Sequence, residues 1–160
     1  GIGIELPGIK ETLEIGKGKI ILEGKNLAIL NFGARLGECK KASEILKKKG
    51  ITISIFDARF AKPLDEKSII ELASNHEAII TIEEGSIGGF GSHITKLLSD
   101  RGFFDKGLKF RSMILPDKFL DQDTPDKMYK TAGLDCESIV QKVEDILNSN
   151  VVIAKNKNLS

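Results

Sequence analysis

An excess of charge of one sign is the plainest thing this sequence lacks. Lysine plus arginine number 24 against 23 acids, a net charge of +1 over 160 residues. That balance removes the electrostatic case for a nucleic-acid or anionic-membrane partner. Cysteine is scarce: Cys39 and Cys136 form no CxxC pair, and such usage favours buried or idle thiols over a bridge. The two histidines, His76 and His93, share no ligand-like spacing with them, which argues against a metal centre. No apolar run approaches the roughly 18 residues that span a bilayer. A Walker A loop is absent, and no G-x-S-x-G elbow surrounds Ser86 or Ser92. There is neither a charged-then-apolar leader nor an initiator Met, and the chain begins at Gly1. The expectation is a soluble, cytoplasmic piece of a longer protein.

What is present is a repeating texture, with 41% apolar residues, enough for one domain with a core. Residues 1–25 are glycine-rich and read as a linker entering from a missing upstream domain, with a short edge hairpin around "EIGKGKIILEGK". From residue 26 strands alternate with helices: "NLAILNF" is a short, nearly continuous apolar run of the kind buried on both faces, and "ITISIFDA", "EAIITIEE" and "LKFRSMIL" read as further strands. Between them lie helical patterns. The first ends on Lys47, Lys48 and Lys49 before Gly50, the second begins at an Asp65 N-cap, and the third stops at Gly102. A short helix within "DQDTPDKMYKTAG" and a last helix from Asp135 to Leu147 follow. The domain is expected to span 26–149, with a polar, fraying tail at 150–160. This order predicts a three-layer α/β/α fold with a mainly parallel, five-stranded sheet joined by right-handed crossovers.

Ligands on such sheets sit beyond the carboxyl ends of the strands, here "FGAR", "DARFAKPLD", "EEGSIGGFGS" and "LPDKF". In the third of these, Gly89 and Gly91 match two positions of a dinucleotide fingerprint, but Ile94 stands at the third. A tight turn in which Gly88, Gly89 and Gly91 allow close backbone approach is the stronger reading. An anion cradle at the following helix start is the other. Glu83 and Glu84 are strand neighbours and point to opposite faces, so they do not converge on one reacting centre. One of them is expected to accept backbone N–H bonds and tie down the turn. His76 suits a helix C-terminus, whereas His93, beside the glycines, is better placed for ligand contact. Arg59 could grip a phosphate or carboxylate, or lock an interface by pairing with an acid.

Taken together, "LAILNFG", "DARFAKPLD", "TIEEGSIGGFGSH" and "LPDKFLDQDTPDKMYKTAGLD" resemble the C-terminal, transketolase-type domain of 1-deoxy-D-xylulose-5-phosphate synthases. The likeness runs in order from about Gly1 to Leu147, and Leu115 to Asp135 is the segment particular to the synthase. It implies a homodimeric enzyme using thiamine diphosphate and Mg²⁺ to join two carbons of pyruvate, with loss of CO₂, to glyceraldehyde 3-phosphate. The family's cofactor motif begins Gly-Asp-Gly, and no "GDG" occurs here. Its activating glutamate lies in the middle domain, and a phosphate-gripping arginine falls upstream of Gly1. The resemblance therefore assigns no catalytic, cofactor or metal residue to this chain. It implies a domain that packs against the rest of the parent, supports the dimer and borders the active-site entrance. Arg59, Glu84, Gly88, Gly89, Gly91 and His93 are the candidate entrance, interface or turn residues. The alternatives are a stand-alone phosphate- or protein-binding module, or the same domain of another transketolase-like enzyme or a 2-oxo acid dehydrogenase β subunit.

Overall fold

The computed structural model describes residues 12–157, with side chains as far as residue 148. Four strands, β2 (Leu27–Phe32), β3 (Ile53–Asp57), β4 (Ala78–Glu83) and β5 (Lys109–Met113), pair in parallel. With β1 (Lys19–Leu22) they form one sheet in the order β1-β3-β2-β4-β5. The helices are α1 (Leu36–Lys48), α2 (Glu66–Asn75), α3 (Phe90–Asp100), α4 (Pro125–Ala132) and α5 (Cys136–Lys157).

The continuous apolar runs are explained by cover on both faces. Leu27, Ile29, Ile53, Ile55, Ile80 and Ile82 turn one way, onto Cys39, Ala42 and Leu46 of α1 and Ile139, Val143 and Ile146 of α5. Ala28, Leu30, Phe56 and Ile79 turn the other way, onto Ile69 and Leu72 of α2 and Phe90, Ile94 and Leu98 of α3. This is the three-layer α/β/α arrangement expected from the sequence. Both cysteines are free, and burial pushes the Cys39 thiol up to about 12, where it is inert as a nucleophile.

Helix ends follow local chemistry. The Asp65 carboxylate accepts from Ser68 N at 3.2 Å as the α2 N-cap, and its second oxygen accepts from Gly18 N at 3.1 Å. One side chain thus starts a helix and anchors the approach to β1. Gly50 and Gly102 follow α1 and α3 with φ of 79° and 69°, the left-handed geometry that glycine supplies at helix C-termini.

Two expectations are corrected. The segment around residues 14–25 forms no local hairpin. β1 is an edge strand running antiparallel to β3, with Lys19 opposite Asp57 and a bulge between Ile20 and Leu22. The fraying tail is also displaced, because α5 continues through Asn148 to Lys157, about ten residues past the expected end. No glycine or proline stands between Asn148 and Lys157, so nothing there breaks the helix. The first eleven residues of the expected linker and the last three of the tail lie outside the described residues. Among the described residues, no helix is long and apolar enough to cross a membrane.

Candidate functional site

In this strand order the chain leaves β2 towards α1 on one face and leaves β4 towards α3 on the other. The carboxyl ends of β2 and β4 therefore flank the switch point of the sheet, where open α/β folds form a ligand crevice. The loops "FGAR" and "EEG" meet there, and the structure shows how each of them is filled.

On the α3 side the buried Glu83 carboxylate closes the glycine corner. Its oxygens accept from Phe90 N at 2.9 Å and Gly91 N at 2.8 Å. Three more amides around the helix start are engaged: Gly88 N with Ser92 Oγ, Gly89 N with Ser86 O, and Ser92 N with Gly89 O. An anion at this helix start would find its donors already taken by a carboxylate of the same chain, so the cradle reading does not hold here. The glycines make that approach possible. A Cβ on Gly85 would lie 2.6 Å from Glu83 Oε2, and one on Gly91 2.8 Å from Thr81 Oγ1. Gly88 has a φ of 98°, which a side chain would strain.

Glu84 turns to the opposite face, as strand alternation requires. Its Oε1 lies 3.0 Å from Arg35 Nε, and the Arg35 guanidinium stacks on the Tyr129 ring, 3.4 Å from the centroid. The neighbouring Glu84 carboxylate pushes the Tyr129 phenol above its ordinary value, with burial adding to it. The switch-point crevice is thus plugged by an arginine, a carboxylate and a phenol of this chain. Because Tyr129 is the sole tyrosine, an ultraviolet titration reads it alone. Phenolate formation beside Glu84 places two negative charges together, so the wild type should titrate above an ordinary tyrosine. Glu84→Gln should bring the midpoint down; an unchanged midpoint would contradict the contact.

The remaining candidates are scattered along the same edge. Arg59 sits in a tight turn with φ of 59°, closed by Phe60 N to Ala58 O at 2.5 Å. Its Nε lies 3.7 Å from Asp57 Oδ2, a carboxylate in its own loop. His93 is half-buried on the first turn of α3, and its ring makes no hydrogen bond or ion pair among the described residues. His76 caps α2: Nδ1–H donates to Leu72 O at 2.8 Å, and Ser54 Oγ lies 2.9 Å from Nε2. Arg35 and Tyr129 were missed by sequence reasoning. The "FGAR" loop marked the place of the first, but nothing local marks Tyr129 as its partner.

Among the described residues no three His, Cys, Asp or Glu side chains converge as a metal site would require. With the corner's N–H groups spent on Glu83, the residues present fit neither Mg²⁺ nor a diphosphate.

Residues 16–139 match the model of the transketolase C-terminal domain. The chain belongs to that family. Its fold is similar to that of a split-gene transketolase solved as an inactive beta4 tetramer. The TM-score is 0.80 and the identity 27%, covering 91% of this chain and 46% of that one. Two structures of substituted transketolases from Pichia stipitis, one a complex with xylulose 5-phosphate, share the fold at 14% identity and TM-score 0.59. They cover 82% of this chain, which spans only 18% of theirs. The chain thus spans less than half of each of these solved chains.

Proposed function

We propose that this chain is the C-terminal domain of a 1-deoxy-D-xylulose-5-phosphate synthase, in a cytoplasmic homodimer that condenses pyruvate with glyceraldehyde 3-phosphate. Thiamine diphosphate and Mg²⁺ would be held by other domains of that enzyme, where the cofactor acts as the electron sink for decarboxylation. The role of this chain is structural: it supplies a rigid edge against which those domains pack. The family match over residues 16–139 supports the general reading. The synthase reading rests on four segments, "LAILNFG", "DARFAKPLD", "TIEEGSIGGFGSH" and "LPDKFLDQDTPDKMYKTAGLD". They follow in order and meet along one edge of the sheet, where Tyr129 of the last segment sits on Arg35 and Glu84.

The experiment assays the chain alone and the longer open reading frame containing it, each with pyruvate, D-glyceraldehyde 3-phosphate, thiamine diphosphate and Mg²⁺. The longer protein should release CO₂ and form 1-deoxy-D-xylulose 5-phosphate, while the chain alone forms none. Turnover by the chain alone would end the structural role. Activity of the longer protein only with xylulose 5-phosphate and ribose 5-phosphate would make it a transketolase instead. A second reading, a separately encoded subunit, is favoured by the 27% identity to the split-gene transketolase. It predicts that the reading frame starts close to Gly1 and that activity appears only when a second chain is added.

A further inference from the structure

A cavity of about 490 Å³ opens at the amino ends of β4 and β5, the end of the sheet opposite the glycine corner. That volume is within the roughly 300–1,000 Å³ of small-molecule sites. Its lining comes from residues 73–77, at the end of α2, and from residues 103–109, which lead into β5. Lys109 N donates to Glu77 O at 3.1 Å, so backbone holds the two segments together. Ala73, Phe103 and Leu108 give the cavity an apolar side, and Lys106 and Lys109 a cationic one. The Lys109 side chain is only 17% exposed, and its Nζ is buried without a hydrogen bond. An ammonium carries three donors, and leaving them unmade in a buried place is costly. Its ion-pair partner, Glu77 Oε2, stands 3.9 Å away on a side chain that is 53% exposed, too far for a hydrogen bond and weakened by solvent. The other polar groups of the lining do not relieve it. Ser74 Oγ donates to Ile70 O, and the ring nitrogens of His76 meet Leu72 O and Ser54 Oγ. Lys106 Nζ lies over the Phe103 ring, 5.8 Å from its centroid, and adds a second positive charge at the aromatic wall.

We propose that this cavity binds a small organic oxyanion, a carboxylate or a phosphate ester, whose charged head takes up the unmade donors of Lys109 while its apolar body lies on Phe103 and Leu108. An oxyanion is the complement that the lining lacks, since it presents several acceptors to an ammonium that has none. Two ammoniums against the single carboxylate of Glu77 leave the lining net positive. Glu77 is the competing anion, and its exposure leaves it free to swing aside. None of the lining residues belongs to the four family-marking segments, so the inference stands whichever transketolase-type parent the chain serves.

The test titrates the isotope-labelled 160-residue chain with phenyl phosphate and with benzoate, following backbone amide shifts by NMR, with benzyl alcohol as the uncharged control. An oxyanion should shift the amides of residues 73–77 and 103–109 along one saturable curve and leave those of Gly88, Gly89 and Gly91 unmoved. Either head group satisfies the proposal, and the tighter one names it. Lys109→Met keeps the aliphatic stem and should raise the dissociation constant roughly tenfold or more. Glu77→Gln removes the competing carboxylate and should lower it roughly threefold. Shifts without saturation, shifts spread over the whole surface, or equal binding of benzyl alcohol overturn the proposal. So does a Lys109→Met variant that binds as tightly as the wild type. Should that variant fail to fold, Glu77→Gln decides alone, and an unchanged dissociation constant overturns the site.

Discussion

Replacing Glu83 with alanine is expected to destabilise the domain by about 3–5 kcal/mol, read as a fall in the urea midpoint with an unchanged slope. The carboxylate is 4% exposed and has no ion-pair partner among the described residues, so its charge is held by Phe90 N–H and Gly91 N–H at the α3 N-terminus. Truncation leaves both amides buried and unpaired, at about 1–3 kcal/mol each, and opens a void at the buried α3 N-terminus. Glu83→Gln separates these contributions. Its single carbonyl oxygen can keep one N–H, while its NH₂ faces the other, so a cost of about 1–3 kcal/mol is expected. A loss below about 1 kcal/mol in the alanine variant would mean that water reaches the corner and satisfies the amides.

The neighbouring carboxylate has a different task, and strand alternation is the reason. Sequence alone establishes that Glu83 and Glu84 diverge, since side chains on a strand have a period of two. It does not say which face α3 covers, and that decides which of them ties down the glycine turn. The structure gives that task to Glu83 and sends Glu84 across to Arg35, just before α1, and to the neighbourhood of Tyr129 on α4. β2, β3 and β4 were legible because strands covered on both faces demand apolar runs, and Asp65 was legible because capping is local. The partner of β1 was not. Its antiparallel pairing with β3 depends on which strand occupies the edge of the finished sheet, and no turn chemistry between residues 14 and 25 encodes that. The extent of α5 was misread for a simpler reason. Asn148, Ser149 and Asn150 are polar but not helix-breaking, and polarity was taken for an end. Arg35 and Tyr129 lie far apart in the chain, so only the folded topology brings the guanidinium under the ring.

Gly89→Ala is expected to cost about 2–4 kcal/mol in the wild type, and far less once Glu83 is alanine. An added Cβ would overlap Glu83 Oε2 and lie 2.9 Å from its Cδ and 3.0 Å from Oε1. A flexible surface side chain would swing away cheaply, but this carboxylate is fixed by two hydrogen bonds, and moving it breaks them. The backbone contributes little to the cost. Gly89 has φ of −80° and ψ of −152°, an extended conformation open to alanine. The clash and the Glu83 hydrogen bonds are therefore one interaction seen from two sides, and a double-mutant cycle should show it. Glu83→Ala combined with Gly89→Ala should be only slightly less stable than Glu83→Ala alone, giving a coupling energy of about 2 kcal/mol. Strict additivity would mean that the glycine is required for its own conformation and not to admit the carboxylate. A strong coupling would show that the "EEGSIGGFG" corner is built around Glu83, its glycines making room for the side chain that holds the helix start closed.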